Sequence, residues 1–465
     1  MNLKTKDYTF FKTLLGSTNV IIEKENQFDY AHDETEDLVF YPSIVLKPKD
    51  TKQVSEIMRY CFNTDLKVTP QGARTGLSGG ALPIQNSIAL SMERFNNIIN
   101  IDEDNLQVVV EPGVIVQELQ EAVEEKGLFY PPDPASKGSC FIGGNLAENS
   151  GGPKAVKYGV TADYVLNLEV VLANGDVIWT GANTLKNSTG YNLTQLMVGS
   201  EGTLGILTKA VLKLIPLPKF NNLLLVPFSS AQKACESVAA IFKAGVTPSG
   251  LEFMERDALI WTANFINDDS IRIGDDVQAH LLIEVDGNNL DVLMQDCETI
   301  MNVVEKFDAG EILFADSQAQ KNKLWELRRK VGEAVKSQSI YKEEDTVVPR
   351  YELPKLLAGV KSIGAKYGFQ SVCYGHAGDG NLHINIIKGD LSDEKWDTEL
   401  SDGIREIFNL SVSLGGTISG EHGIGLVQKQ YMDIPFSAIQ LNLMKQIKSV
   451  FDPKGILNPG KIFPD

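Results

Sequence analysis

The stretch PQGARTGLSGG, residues Pro70 to Gly80, organises the interpretation of this chain. It contains four glycines, one arginine and one serine, and it follows a short run, Leu66 to Thr69, that predicts a strand. Because glycine has no Cβ, several backbone N–H groups can turn toward one point and approach an anion closely. Arg74 adds a fixed charge that can reach a phosphate. The stretch therefore predicts a diphosphate-binding loop, with a glycine-rich hairpin turn as the alternative.

Three further glycine-rich strings favour the binding loop, since a cofactor as long as a dinucleotide could use several of them. They are FIGGNLAENSGG (141–152), KYGVTADYV (157–165) and GSEGTLGI (199–206). No G-x-G-x-x-G string occurs, so a Rossmann domain has no support. Gly455 to Lys461 matches the first part of a P-loop, but Ile462 occupies the position where Ser or Thr must hold magnesium.

Composition limits the class of protein. A chain of 465 residues predicts two or three domains. The net charge is 43 − 61 = −18, spread along the chain, which argues against nucleic acid as a partner. The five cysteines form no C-x-x-C pair, so an iron–sulfur cluster or a zinc knot is not expected. The N-terminus has no apolar signal region and no apolar run could span a membrane, so we expect a cytoplasmic protein with reduced thiols.

Periodicity predicts alternating short strands and helices up to about residue 218, and longer helices separated by strands beyond it. A helical lead-in is expected within residues 1–40. The predicted helices are 51–61, 114–126, 229–245, 291–307, 319–337, 353–368 and 437–450. The predicted strands are 66–69, 87–92, 106–111, 281–285, 372–374 and 382–387, with a strand pair in 204–217. The Asn174–Gly175 pair predicts a hairpin within 165–179.

Three of the five histidines lie in two short strings. In YGHAGDGNLHIN (374–385), His383 and Asn385 are two residues apart, so on a strand they share a face, and His376 precedes them in a glycine-rich turn. In SGEHGIG (419–425), Glu421 lies beside His422. Two histidines and one carboxylate can form a three-ligand divalent metal site with open positions. Structural histidines are the alternative.

The order and content of the glycine strings resemble the flavin domain of vanillyl-alcohol-oxidase-type FAD proteins. The D-2-hydroxyacid dehydrogenase branch is the most similar: D-lactate dehydrogenase, the flavin subunit of glycolate oxidase and D-2-hydroxyglutarate dehydrogenase. The similarity runs from about Tyr41 to Phe463. It implies an α+β fold with a two-part FAD-binding domain of PCMH type in residues 1–218. Residues 219–425 would form a substrate cap with an antiparallel sheet covered by helices, and residues 426–465 would return to the FAD domain.

The resemblance implies FAD as the cofactor, and the Pro70–Gly80 loop has no histidine or cysteine suited to a covalent link, so we expect noncovalent binding. Within that loop the expected contacts are Pro70, Gly72, Arg74, Thr75, Gly76, Leu77, Ser78, Gly79 and Gly80. By the family's pattern the others are Pro132, Asp133, Ser139, Gly143, Gly144, Asn145, Ala147, Gly151, Gly152, Gly159, Val165, Glu201, Gly205, Ile206 and Asn458.

The resemblance also assigns roles at the second site. His376, His383 and Glu421 match the metal ligands of metal-dependent members, with zinc, iron and manganese all open. His422 matches the catalytic base and Asn385 a substrate contact. Arg328, in LWELRRKVGEA, matches the arginine that clamps the substrate carboxylate; a solvated helix charge is the alternative.

One departure from the family concerns the substrate. Hydroxyglutarate enzymes carry a lysine two residues before an aspartate, whereas YKEEDTVVP places Lys342 three residues before Asp345, with Glu343 in the lysine's position. This favours a monocarboxylate such as D-lactate over D-2-hydroxyglutarate, although a shift of one residue would restore Lys342 as a substrate contact. Glycolate is a further alternative within the family.

Rivals of other kinds differ in the residues they keep. A relative that reduces its substrate with NADPH, or a noncatalytic FAD-binding subunit of a larger complex, would lack the histidine strings, and a plain metal-binding module would not need four glycine strings.

The sequence does not identify the electron acceptor, which could be a quinone, an electron-transfer flavoprotein, a cytochrome or an iron–sulfur subunit. Such an acceptor could hold the protein at the membrane periphery. A homodimer is also open.

Overall fold

The computed structural model describes residues 3–35, 38–267 and 273–464. The helices within these residues are α1 Thr5–Leu15, α2 Thr51–Thr64, α3 Val116–Glu124, α4 Ile142–Glu148, α5 Ala155–Tyr158, α6 Leu193–Met197, α7 Ala231–Lys243, α8 Arg256–Ile266, α9 Leu290–Val304, α10 Gln318–Arg329, α11 Val331–Lys336, α12 Leu353–Tyr367, α13 Asp393–Thr398, α14 Leu400–Ser413 and α15 Ala438–Phe451.

The strands of the same residues are β1 Val20–Ile21, β2 Val45–Leu46, β3 Val68–Gln71, β4 Ile88–Ser91, β5 Ile98–Asp102, β6 Gln107–Val110, β7 Leu128–Phe129, β8 Val165–Val171, β9 Val177–Trp179, β10 Ile206–Lys213, β11 Ile215–Pro216, β12 Phe220–Phe228, β13 Gly250–Glu255, β14 Ala279–Gly287, β15 Leu313–Phe314, β16 Tyr341–Val347, β17 Gln370–Gly375 and β18 Asn381–Ile387.

The chain divides into two compact units. The first unit comprises 1–151, 160–217 and 421–465, and the second comprises 152–159 and 218–420. The units differ from the predicted domain boundaries in three places, because the 152–159 segment and Pro218 belong to the second unit and 421–425 to the first. Lys154 and Lys157 pair with Glu284 and Asp286 of β14, which ties the 152–159 segment to the second unit.

The first unit contains two main sheets. A four-stranded sheet has the order β1-β2-β4-β3, with β2 and β3 parallel to β4, and a five-stranded antiparallel sheet has the order β5-β6-β10-β8-β9. Helix α2 forms because Asp50 caps it, accepting a hydrogen bond of 2.8 Å from the Gln53 N–H, and because its apolar residues recur on one face. Ile57 and Met58 on that face are fully buried in the core with Val68.

The second unit is built on a seven-stranded antiparallel sheet in the order β15-β12-β14-β13-β17-β18-β16. Helices α7, α9, α12 and α14 contact this sheet, and α8, α10 and α11 contribute to an apolar core against it. That core includes Leu225, Met254 and Leu282 from three neighbouring strands. Because directly paired residues share a face of a sheet, the register of these strands decides which polar side chains lie together.

Several predicted elements differ in the structure. The predicted helix 319–337 is interrupted at Lys330, and a Cβ at the following Gly332 would lie 3.2 Å from the Tyr374 hydroxyl, so the chain passes close to the sheet there. The predicted strand pair in 204–217 is one long strand, β10, followed by the two-residue β11, because β10 finds its partners in β6 and β8.

The Asn174–Gly175 hairpin forms between β8 and β9 as predicted, with Gly175 at φ 86°.

Two global properties accompany this fold. The five cysteines are buried free thiols. In the described parts of the chain, no helix combines the length and the apolar composition needed to cross a bilayer.

Candidate active site

A cavity in the first unit collects most of the glycine strings. Its lining includes, among the predicted cofactor contacts, Pro70, Gly72, Arg74, Thr75, Gly76, Leu77, Gly80, Gly143, Gly144, Asn145, Ala147, Glu201, Gly205, Ile206 and Asn458. It also includes residues that were not among the expected contacts, some of them within the same glycine strings: Gln71, Ala73, Ala81, Met92, Pro112, Pro134, Ala135, Ser136, Phe141, Glu148, Ser150, Met197, Ser200, Gly202 and Leu207. The neighbours Glu421 and His422 line the same cavity.

The glycines of this cavity leave room for a ligand. A Cβ added at Gly76 or Gly144 would meet no atom within 4 Å, although both residues line the cavity. Arg74 has φ 62°, its guanidinium lies over the Tyr30 ring at 4.8 Å, and its Nη1 donates a 3.2 Å hydrogen bond to the Gly72 carbonyl. Open glycine backbone beside a held arginine fits the binding of a diphosphate.

The C-terminal residues fasten two of the glycine strings to each other. The Asn458 side-chain amide donates hydrogen bonds to the carbonyls of Gly80 (3.0 Å) and Glu201 (2.7 Å). The Lys461 ammonium donates to the carbonyls of Gly80 (3.1 Å) and Leu82 (2.7 Å). Burial lowers the pKa of Lys461 to about 8. The tail thereby fixes the end of the Pro70–Gly80 loop.

Acidic side chains hold the backbone next to His422. The Glu201 carboxylate accepts hydrogen bonds from the N–H groups of Ile424 (2.9 Å) and Gly425 (2.7 Å). Burial raises the pKa of Glu201 despite these bonds, and burial together with the nearby Glu201 raises the pKa of Glu148 well above its ordinary value. Glu421 accepts a hydrogen bond of 3.2 Å from the Gly151 N–H.

The remaining predicted cofactor contacts lie outside the lining of this cavity. They are Ser78, Gly79, Pro132, Asp133, Ser139, Gly151, Gly152, Gly159 and Val165. Two of them, Gly152 and Gly159, belong to the second unit, and Val165 is buried at the start of β8. The Ser78 carbonyl accepts hydrogen bonds from the N–H groups of Leu426 and Val427, which packs the loop against the chain that follows His422. These assignments stay predictions.

A second set of polar side chains lies on one face of the seven-stranded sheet. Register pairs Glu343 with Asn385, Asp345 with His383, and Tyr374 with His383. The His376 and His383 rings are 5.4 Å apart between centroids, at 81° to each other, and both residues are buried. The period of two in β18 therefore gives His383 and Asn385 a common face, as the sequence predicts.

Glu252, on β13, contacts both His376 and Arg328. It is fully buried, and both of its carboxylate oxygens lie 2.9 Å from His376 Nδ1. Arg328 Nη2 lies 2.7 Å from Glu252 Oε2, and the Arg328 guanidinium stacks over the Tyr374 ring at 5.2 Å. Burial alone would raise the pKa of Glu252, but the charges of His376 and Arg328 outweigh burial and hold this pKa below its ordinary value.

Two of these side chains keep unused hydrogen-bonding atoms. Arg328 is 5% exposed, and its Nε has no hydrogen-bond partner among the described residues. Asn385 is 0% exposed, and neither its amide nitrogen nor its amide oxygen makes a hydrogen bond of good geometry in that part of the chain, although the amide interacts with the Tyr374 hydroxyl. Since buried polar atoms are nearly always paired, such atoms mark a place where a ligand completes the structure.

His383 and Asp345 are paired across β18 and β16, on the sheet face that Asn385 shares. His383 Nδ1 is 3.4 Å from Glu343 Oε1 and 3.8 Å from Asp345 Oδ1. Asp345 is 0% exposed and accepts hydrogen bonds from Asn381 Nδ2 (2.6 Å), Ser419 Oγ (3.1 Å) and the Gly420 N–H (2.9 Å). Asp345 thus holds the two residues that directly precede Glu421 and His422.

The structure corrects the expectation for Lys342. It alternates with Glu343 on β16, so its side chain is on the opposite face from Glu343, Asp345 and His383, and it is exposed. Glu343 takes the place on the site face, where Tyr374 donates a 3.3 Å hydrogen bond to it. Lys342 is therefore left out of the proposed site.

Sequence reasoning missed Glu252, Tyr374 and Asp345. The signal available for Glu252 was a single acid within the apolar run of residues 250–254, because a charge in a buried strand requires partners. No local spacing links Glu252 to His376, since the two residues are 124 positions apart and meet only through pairing of β13 with β17.

Comparison with known proteins identifies the class. A model of "FAD binding domain" matches residues 42–181, and a model of "FAD linked oxidases, C-terminal domain" matches residues 217–462. Together these matches define an FAD-dependent oxidoreductase. The chain belongs to the family of FAD-linked oxidases.

Curated relatives cover nearly the whole chain. The glycolate oxidase subunit GlcD of Bacillus subtilis is 40% identical over 96% of this chain and 94% of its own. The D-lactate dehydrogenase of Anaerostipes hadrus is 37% identical, with 96% and 95% covered. The D-2-hydroxyglutarate dehydrogenase of Stutzerimonas stutzeri is 33% identical, with 97% of each covered.

Solved structures with low sequence identity share the fold. The structure of p-cresol methylhydroxylase with substrate bound matches with a TM-score of 0.81 at 20% identity, over 99% of this chain and 96% of its own. The 4-ethylphenol oxidase of Gulosibacter chungangensis matches with 0.76 at 19% identity, over 98% and 97%. The predicted fold class, α+β with an FAD-binding domain of the vanillyl-alcohol-oxidase type and an antiparallel sheet with helices, is confirmed.

Proposed function

We propose that this protein oxidises D-lactate to the 2-oxo acid. The single observation that carries the proposal is the buried face of the second unit, where Arg328 and Asn385 keep donor and acceptor atoms that make no hydrogen bond of good geometry with a described residue. A small acid with a carboxylate and a neighbouring hydroxyl offers the complementary groups. The relatives named D-lactate dehydrogenase and glycolate oxidase subunit support this substrate class.

The cavity of the first unit would hold FAD without a covalent bond. The open backbone at Gly76 and Gly144 and the charge of Arg74 would bind the diphosphate, and Asn458 and Lys461 would keep the loop in place. Bound FAD supplies the acceptor for the hydride from C2 of the substrate.

The residues of the second unit would orient the acid. Arg328 is held by Glu252 and Tyr374, so its guanidinium is pre-positioned and its Nε is left to bind the substrate carboxylate. Asn385 would fix a substrate oxygen through its amide. Preorganised donors in a buried environment lose little entropy when the substrate binds.

His422 would take the hydroxyl proton. The amides that follow it are fixed by Glu201, and the residues that precede Glu421 are fixed by Asp345, so the His422 string has limited freedom. An imidazole has a pKa near working pH and is suited to accept this proton.

We further propose that His376, His383 and Glu421 bind a divalent metal. Two buried imidazoles whose rings lie 5.4 Å apart fit a metal centre, and His376 Nδ1 is bound to a carboxylate as in many metal-ligating histidines. A metal at these residues would lower the pKa of the substrate hydroxyl. Zinc, iron and manganese accept such a ligand set.

The carboxylate of Glu343 favours a monocarboxylate. It lies on the site face beside His383 and Tyr374, where a second carboxylate on the substrate would meet a like charge. D-2-Hydroxyglutarate carries such a group and D-lactate does not.

A panel of 2-hydroxy acids with an artificial dye as acceptor tests the proposal. It should contain both enantiomers of lactate and of 2-hydroxyglutarate, together with glycolate. D-Lactate is expected to give the highest kcat/KM and L-lactate to give at least tenfold less. A preference for glycolate or for D-2-hydroxyglutarate would overturn the substrate assignment, and inactivity with every acid would overturn the proposed reaction.

A further inference from the structure

We propose that Glu252 is a positioning residue that sets a metal-binding histidine and the substrate-binding arginine at the same time. The inference rests on the proposed function, because it assigns a role toward the proposed metal and substrate sites. Glu252 is fully buried on β13 and touches His376 and Arg328.

The carboxylate determines which nitrogen of His376 carries hydrogen. A carboxylate held next to an arginine accepts hydrogen bonds and donates none. With both Glu252 oxygens 2.9 Å from Nδ1, that nitrogen must carry the proton. When the imidazole is neutral, its lone pair is then on Nε2, and this is the nitrogen that could bind a metal.

The same carboxylate holds Arg328. Its Oε2 lies 2.7 Å from Nη2, and the guanidinium lies over the Tyr374 ring, 5.2 Å from its centroid. The Nε of Arg328 remains without a partner among the described residues, so Glu252 restrains the side chain while leaving a donor for the substrate. One acid thereby links the placement of a metal ligand to the placement of the carboxylate clamp.

The Glu252–Arg328 ion pair also offsets the free-energy cost of burying both charges. Arg328 is 5% exposed and Glu252 is 0% exposed, and an unpaired charge in such a place is strongly unfavourable. A purely structural ion pair would have the same geometry, so the test needs measurements that a structural role does not change.

The Glu252→Gln variant separates the two roles. Glutamine keeps the size of the side chain, but its amide can donate to Nδ1 as well as accept from it, so it does not impose a tautomer. Glu255→Gln is the matched control, because Glu255 lies on the same strand and pairs with Lys361 and the Cys373 N–H instead. Glu252→Asp keeps an acceptor-only group on a shorter stem.

The first measurement is nitrogen-15 NMR of histidine-labelled flavoprotein, freed of metal by chelation and held at alkaline pH, with His376→Gln used to assign the signal. In the wild type and in Glu255→Gln, His376 should show a protonated Nδ1 and an unprotonated Nε2. In Glu252→Gln, the Nε2-protonated form should appear. Glu252→Asp should restore the wild-type pattern.

The second measurement is zinc affinity by chelator competition, and the third is the split between KM and kcat for D-lactate. Glu252→Gln should weaken zinc binding by about 10- to 100-fold. Because Arg328 loses its restraint in Glu252→Gln, KM for D-lactate should rise and kcat should fall. Glu255→Gln should leave the zinc affinity and both kinetic constants within about twofold of the wild type.

The outcomes distinguish the inference from the proposed function. An unchanged His376 tautomer in Glu252→Gln would overturn the inference, even in a wild type that oxidises no hydroxy acid. If the wild type oxidises D-lactate and Glu252→Gln behaves as Glu255→Gln does, the inference alone fails. Should Glu252→Gln not fold because Arg328 is stranded, the Glu252→Gln, Arg328→Gln double variant removes that charge and gives the same tautomer test.

Discussion

The hydrogen bonds of Asp345 make its replacement a quantitative test of how the His422 string is held. Its Oδ1 accepts from Asn381 Nδ2, and its Oδ2 accepts from Ser419 Oγ and the Gly420 N–H. In Asp345→Asn, one of these oxygens becomes an NH2 group that faces a donor. At least one hydrogen bond to a charged acceptor is lost, which costs about 1.5–3 kcal/mol.

Thermal unfolding and steady-state kinetics measure the two effects. For a unit of this size, the midpoint should fall by roughly 2–4 °C per kcal/mol, or about 3–12 °C in total. Turnover should fall by about tenfold or more while the flavin stays bound, because Gly420 is followed directly by Glu421 and then by His422, and a displaced catalytic group is costly.

Thr346→Val is the control for this test. Thr346 lies next to Asp345 on β16, and the change removes one neutral hydrogen bond to the Leu382 carbonyl of β18. It should therefore cost about 1 kcal/mol of stability and leave turnover near wild type. Equal midpoints and equal turnover for Asp345→Asn and the wild type would refute the reasoning.

Four further predictions concern the cofactor, the base, the metal and pH. Arg74→Glu should abolish flavin retention, because it sets a negative charge against the diphosphate; a normal ratio of absorbance at 450 to 280 nm would show that the loop is assigned wrongly. His422→Ala should keep its flavin and metal but lose turnover by roughly 100-fold or more, and near wild-type rates across pH would remove His422 from the mechanism. Chelation should suppress oxidation while the flavin spectrum persists, a divalent ion should restore it, and His383→Ala should lower both metal content and rate; full activity with far less than one metal per chain contradicts this. Burial lowers the pKa of His280 to about 4, so the unfolded chain takes up the proton first as pH falls below 6.5. The second unit should therefore lose roughly 3 kcal/mol of unfolding free energy between pH 6.5 and pH 4. The unfolding free energies of the wild type and of His280→Gln are compared at each pH, and a difference between them that is constant over this range would exclude this burial effect.

Features that depend only on residues close together in the chain could be predicted from the sequence. The Asn174–Gly175 turn needs a left-handed backbone that glycine adopts readily, and the hairpin forms there. The spacing of two between His383 and Asn385 gives them one face of β18. Most residues of the Pro70–Gly80 loop line the cavity of the first unit, and the glycines that leave its backbone open are visible in the sequence itself; its role in binding the diphosphate stays a prediction.

Other features depend on partners that are distant in the chain. Strand β12, with its run NNLLLVPF, has no alternation because residues on both faces are buried, so its period gave no strand signal. Glu252 gained its role from His376 and Arg328, which lie on other elements. The face occupied by Lys342 depended on the register of β16 with β18, and a shift of one residue reverses every face.

Anaerobic mixing of the purified flavoprotein with D-lactate, in the absence of any acceptor, tests the central claim most directly. The absorbance of the oxidised flavin near 450 nm should bleach completely, with one pyruvate formed per flavin, while L-lactate leaves the spectrum unchanged on the same timescale. A flavin that stays oxidised with D-lactate, glycolate and D-2-hydroxyglutarate alike would contradict the assignment of this site to 2-hydroxy acid oxidation.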